Sequence, residues 1–190
     1  MLVVAKNGTA ASPVLVAPQA LELAALNVGT YAGPVTSVVL ANSARRWIRE
    51  GEQYDSSTQK ELKYLIANGF EDGVVEGFQG NQREGVYDGT AYMTAGGAAR
   101  ETRRLIAYGA KHDEQRGLER AAVRGLPGGV VIGDFDPGER SATANVYFRV
   151  GRCAFLVADL VHAASRRSEG SRPAINEARR IARRARRVCG

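Results

Sequence analysis

The clearest period-two pattern in the chain is NVYFRVGRCAFLVADLV, residues 145–161, where apolar side chains alternate on both sides of Gly151-Arg152. Such alternation sends successive side chains to opposite faces of a strand, and a glycine opening a two-residue loop suits a type II′ hairpin turn. The turn sets the register over an expected hairpin of residues 143–161: Val150 faces Cys153, Phe148 faces Phe155 and Val146 faces Val157, so one face is wholly apolar. The other face pairs Arg149 with Ala154, Tyr147 with Leu156 and Asn145 with Ala158, a mixture expected to lie nearer solvent or under thinner cover. Upstream, Val130–Ile132 reads as a short strand before the turn-forming DPGE and supplies an antiparallel neighbour. FEDGVVEGFQ and EGVYDGTAYMT, around the turn-forming GNQRE, read as a second hairpin loosened by glycine.

Between and after these strands the period lengthens. In DSSTQKELKYLIANGF, Ser56 and Gln59 are spaced for a capping box, Leu62, Leu65 and Ile66 share a face, and Asn68-Gly69 ends the helix. AGGAARETRRLIAYGAK places Ala98, Thr102, Leu105 and Ile106 at helical spacing, with Gly109 near its end. Residues 111–127, charged and then turn-like, form a long connection with room for a short helix. Near the front, PQALELAALN predicts a short helix, and VTSVVLANSARRWIREG begins as strand or helix and continues as helix. After the polar RRSEGSRP, Pro173 stands where the first turn of a helix tolerates proline, and a last helix runs from there to about Val188. In it Ile175, Ala178, Ala182, Ala185 and Cys189 recur every three or four residues as a buried stripe, with Ile181 and Val188 beside it.

Hairpins with helices between and after them predict an α+β domain: an antiparallel sheet of about five strands packed against helices, the last of them arginine-rich and amphipathic. Residues 1–17 read as a small-residue leader and residues 18–190 as one domain. Hairpin followed by helix occurs twice, at 70–109 and 143–188, either as a distant duplication or as a common way of covering one face of a sheet.

Charge changes this picture at one place. The chain's formal net charge is +6. From Arg166 onward nine arginines stand against Glu169 and Glu177, a balance of +7, so the first 165 residues sum to −1. Six of those arginines, Arg179, Arg180, Arg183, Arg184, Arg186 and Arg187, cover the side of the last helix opposite its apolar stripe. Such a face can neutralise phosphates in a salt-dependent way or lie on an anionic envelope polymer. Asn176 is the only amide among them and there is no aromatic, so specific nucleic-acid recognition is not expected. No run of about 18 apolar residues occurs, so no transmembrane helix is expected. The opening MLVVAKNGTAASPVLVAPQ lacks the basic region and apolar stretch of a secretory signal.

Cys153 and Cys189 make one disulfide or two buried thiols. From Cys153 the strand advances roughly 30 Å and the last helix returns roughly 24 Å, so antiparallel packing would bring the two cysteines together. With His112 and His162 they fit no zinc spacing, and neither a metal nor another cofactor is expected.

NGFEDGVVEGF, GGAARETRRLIA and YFRVGRCAFLVADLV, across about residues 55–190, resemble exported, lipoprotein-like actinobacterial domains of unassigned role, in which a hairpin and an alanine-rich helix precede a strand pair turning at glycine. The resemblance implies an envelope or secreted location and a sheet packed on helices, and it brings no catalytic residues.

The remaining candidate chemistry reads as structure. Asp134 and Asp136 in GDFDPG are a carboxylate pair in a sequence that favours turns, and the glycines of GLPGGVVIGD lack the Lys-Ser/Thr of a phosphate loop. His112 with Ser43 or Ser141, and His162 after an apolar strand, make no nucleophile elbow or convergent trio. Phe78, Tyr87 and Tyr92 sit among small neighbours where they can line a ligand groove or pack in the core. The expected function is a non-enzymatic cell-envelope or secreted binding protein; the alternative is a cytoplasmic nucleic-acid-associated protein acting through the last helix.

Overall fold

The computed structural model describes residues 22–26, 34–50, 57–113 and 119–190. Its elements run β1 (Val35–Ala41), α1 (Ala44–Glu50), α2 (Thr58–Ala67), β2 (Phe70–Gln79), β3 (Arg83–Tyr92), α3 (Ala95–Asp113), β4 (Glu119–Ala122), β5 (Val130–Asp136), β6 (Ser141–Val150), β7 (Cys153–Val161) and α4 (Ser168–Cys189). The strands form one antiparallel sheet in the order β1-β2-β3-β7-β6-β5-β4, so the class is α+β with seven strands, not about five.

The β6–β7 hairpin has the register its turn dictates, with Phe148 opposite Phe155 and Val150 opposite Cys153. Gly151 takes φ +51 and Arg152 keeps a negative φ, as a type II′ turn requires. The two strands missing from the sequence reading are the sheet's edges. β1 emerges from the ambiguous VTSVVLA, and β4 forms in the 111–127 connection, where the sequence left room for a short helix, by pairing Glu119–Ala122 with Gly133–Val130. An edge strand has one neighbour and needs only a few residues, so its sequence carries little periodicity.

Both faces of the sheet are covered. On one, α4 packs on β6 and β7 around Val146, Phe148, Phe155, Val157 and Ile181, and Leu23 and Leu26 extend this core over Val74, Phe78 and Tyr87. On the other, α1 and α2 cover β1 and β2 through Trp47, Leu65 and Val75, and α3 covers the far half through Leu105, Ile106, Ile132 and Tyr147. The mixed face of the hairpin does have the thinner cover: Tyr147 and Ala154 are buried there beneath α3, but Asn145, Leu156 and Ala158 are half-buried and Arg149 is exposed, whereas on the apolar face only Val150 is not buried. The two hairpin-helix units join through β3 and β7, but their helices lie on opposite faces rather than covering one.

Several helix details differ from expectation. The N-cap of α2 is Ser57, whose hydroxyl accepts the Lys60 N–H, and Ser56 lies outside the described residues. Gly109 does lie near the end of α3, four residues before Asp113, and it lets the helix close on Tyr147, whose hydroxyl stands 2.3 Å from where a Cβ would be. The last helix begins at Ser168, five residues before Pro173, with the Glu169 carboxylate accepting the Ser165 N–H at 3.2 Å. Of the expected front helix, a single turn at residues 22–24 is described, and the leader lies outside the described residues.

Candidate anion-binding face of the C-terminal helix

α4 docks through small residues. Gly170, Ala174, Ala178, Ile181, Ala185 and Cys189 are buried, while Ile175, Ala182 and Val188 sit half-buried at the margins, so the stripe centres on Ile181. Gly170 lets the first turn approach β6, because a Cβ there would stand 2.9 Å from the Ala142 carbonyl oxygen. At the other end Cys189 forms a disulfide with Cys153, their Cα atoms 5.5 Å apart and both residues buried. The Arg152 N–H donates to the Cys189 carbonyl at 2.9 Å, and Gly151 leaves that carbonyl room: its missing Cβ would lie 1.9 Å from the oxygen. The helix end and the hairpin turn are thus one unit.

This anchorage divides the arginines. Arg179 donates from Nε and Nη2 to the Arg124 carbonyl at 3.1 and 2.8 Å, closing the helix against the turn at 123–129. Arg180 lies 3.1 Å from the buried Glu177 carboxylate, and Arg184 donates to the Leu26 carbonyl at 3.4 Å. Arg183, Arg186 and Arg187 are exposed and make no hydrogen bond or ion pair among the described residues. Arg172, three helical turns before Arg183 and so above it, and Arg124, beside Arg179, extend this free row. Sequence reasoning missed both. The period of 11 residues from Arg172 to Arg183 was available as a signal; the approach of Arg124 was not.

The three aromatic candidates do not line one groove: Phe78 and Tyr87 share a core and Tyr92 lies on the other face of the sheet. Phe78 and Tyr87 are buried in the core beneath α4 and Leu23, with the Tyr87 hydroxyl donating to the Leu23 carbonyl at 2.9 Å. Tyr92 is buried on the opposite face with Ala98 and Ala154. Asp136 accepts the Gly138 and Glu139 N–H groups at 2.7 and 3.0 Å, closing the β5–β6 turn beside an open cavity of about 510 Å³ that Asp134 also borders. The Ser43 hydroxyl accepts the Arg46 N–H at the start of α1, Ser141 pairs with Asp136 in the sheet, and His162 stands 3.5 Å from Glu84. The side chain of His112 lies outside the described residues.

Buried charges that the sequence did not reveal join neighbouring helices and neighbouring strands. Arg104 of α3 bridges Glu61 of α2 through paired bonds of 2.6 and 2.7 Å, also bonds Glu101, and stacks 4.3 Å over the Tyr64 ring. Burial pushes the Glu101 carboxyl up despite Arg104, and burial with nearby Glu76, Asp88 and Glu177 raises the Tyr87 phenol. On the α4 face, burial raises the Asp159 carboxyl to about 6 even though Arg83 bonds it. Only Arg104–Glu101 has a local helical spacing; nothing in the local period marks Arg104–Glu61 or Arg83–Asp159, because each joins elements distant in sequence.

No family profile matches the chain, and no curated protein matches it in sequence. Among solved structures, the chain is similar to the extracellular domain of PknH from Mycobacterium tuberculosis, with a TM-score of 0.44 and 12% identity over 82% of this chain and 81% of that one.

Proposed function

We propose that the protein is a non-enzymatic binding domain of the cell envelope or the extracellular space, and that it holds an anionic polymer on the outward ridge of α4. The observation that carries this reading is a helix fastened by a buried disulfide while its crest of Arg172, Arg183, Arg186 and Arg187 meets no neutralising partner among the described residues. Like charges three and four residues apart on a helix repel by about 0.2–0.5 kcal/mol a pair. Arg183 with Arg186 and with Arg187 are such pairs, and a bound polyanion relieves them. Guanidinium groups fork onto phosphate, sulfate or carboxylate oxygens, and a row along one helix face suits a repeating charge rather than a single small ion. Structural disulfides belong mainly to oxidising compartments, which favours this reading over a cytoplasmic nucleic-acid protein.

Heparin serves as the probe. R183Q/R186Q/R187Q should elute from immobilised heparin at lower salt than the parent, with a melting temperature no lower than the parent's, since none of the three side chains has a partner among the described residues. Arg179 is kept out of that set because it holds the Arg124 carbonyl. Co-elution of the variant with the parent would refute the ridge. Tight binding to one oligonucleotide that survives above physiological salt would favour the nucleic-acid alternative.

A further inference from the structure

The two edges of the sheet are built differently. β4 is four residues long and carries a glutamate and an arginine, the usual means of discouraging further pairing. β1 is seven residues, VTSVVLA, without a charge or proline, and its outer side has no strand partner among the described residues. Val35 and Val38 are 44% and 51% exposed on it. A register shift between Val35 and Ser37 disturbs the start of the strand, but Ser37–Ala41 runs regularly along β2, from Ser37 opposite Gly77 to Ala41 opposite Gly73.

We propose that β1 is a self-association edge, where a second copy of the chain adds its own β1 antiparallel and makes one continuous sheet of fourteen strands from two of seven. The regular stretch is complementary to itself. Centred on Val39, it sets Val39 against Val39 of the second copy, Val38 against Leu40 and Ser37 against Ala41, so every cross-strand pair is apolar or small. Charge does not stand against the same edge. Each chain carries +6, but its positive excess lies on α4 over β6 and β7, three to four strand spacings from β1. At about 4.8 Å per spacing that is roughly 17 Å, about two Debye lengths at physiological salt, so the two ridges do not oppose the join.

The two-fold axis of such a join stands normal to the sheet, which puts both α4 helices on the same face, about 40 Å apart by the same spacing. If the anionic-polymer reading holds, one polymer can engage both ridges, and the second contact gains from the first. The dimer itself does not depend on that reading.

Sedimentation velocity of the full chain across a wide concentration range tests it. The parent should show a monomer–dimer equilibrium. V38K and V38E should each weaken the dimer at least about tenfold while melting with the parent, because Val38 is on the surface of the monomer. Mixing V38K with V38E should restore the dimer, since the introduced side chains lie diagonally across the join within reach of each other. A parent that stays monomeric throughout, or a V38K dimer as tight as the parent's, overturns the proposal. Heparin retention is read separately, so failure of the edge and failure of the ridge are distinguishable.

Discussion

Removing the disulfide is the most informative perturbation, because Cys153 and Cys189 support both the packing of α4 and the choice of compartment. The bridge spans a sequence separation of 36 residues, and the chain-entropy estimate for closing such a loop is about 4 kcal/mol. Against a domain stability of roughly 5–15 kcal/mol that is a large share. C153A/C189A is the suitable double variant, since both positions are buried and serine would place unpaired hydroxyls in the core. The small residues of the stripe give α4 little area with which to compensate, although the Arg152 to Cys189 hydrogen bond remains to hold the helix end. Urea unfolding of parent and variant should therefore differ by about 3–4 kcal/mol, with the parent falling toward the variant in reductant. Intact-mass measurement after alkylation in denaturant supplies the direct check. Two freely labelled thiols in the unreduced parent would remove the bridge and the argument for an oxidising compartment, and a stability difference below about 1 kcal/mol would show that α4 is held by other contacts.

Two further outcomes follow from the core and from a buried charge. Phe148 and Phe155 stack with ring centroids 5.0 Å apart and are fully buried, so F148A or F155A should each lower unfolding free energy by about 3–5 kcal/mol; melts that match the parent would refute the packing at this register. The Asp159 carboxyl titrates at about 6 in the fold against 3.8 ordinarily, so the folded state binds the extra proton between those values and stability falls as pH rises from about 4 to above 6. Relative to D159N, which cannot ionise, the parent should lose at most about 3 kcal/mol across that window; parallel pH profiles for the two proteins would contradict the buried carboxyl.

Five strands were legible in the sequence, and they are the interior ones, β2, β3, β5, β6 and β7. Each lies between two neighbours, and where both faces are covered its apolar content is high enough to read. The sixth and seventh were not, because β1 and β4 are edges: VTSVVLA is compatible with either period, and the four residues of β4 become a strand only because β5 offers them a partner. The aromatic candidates show the same limit. Tyr87 and Tyr92 differ by an odd number of positions on one strand, so alternation alone sends them to opposite faces; that separation was readable, whereas their covers, Leu23 on one side and Ala98 on the other, were not.

What the sequence determined by itself was local. Gly151-Arg152 specified a turn, the turn specified the register of Val146, Phe148 and Val150 against Val157, Phe155 and Cys153, and the rise of strand and helix made the lengths from Cys153 and back to Cys189 comparable, while the docking of α4 decided that the two meet. The turn, the register and the two lengths depend on backbone geometry within one hairpin or along one helix. Only the tertiary structure decided that β3 joins β7, that α3 lies over the hairpin's mixed face, and which arginines of α4 remain free. The sequence placed six arginines outward, but Arg179 is removed from that face by a carbonyl 55 residues away and Arg184 by one 158 residues away. Helical period states where a side chain points, whereas the partner waiting there is set by the docking of distant segments.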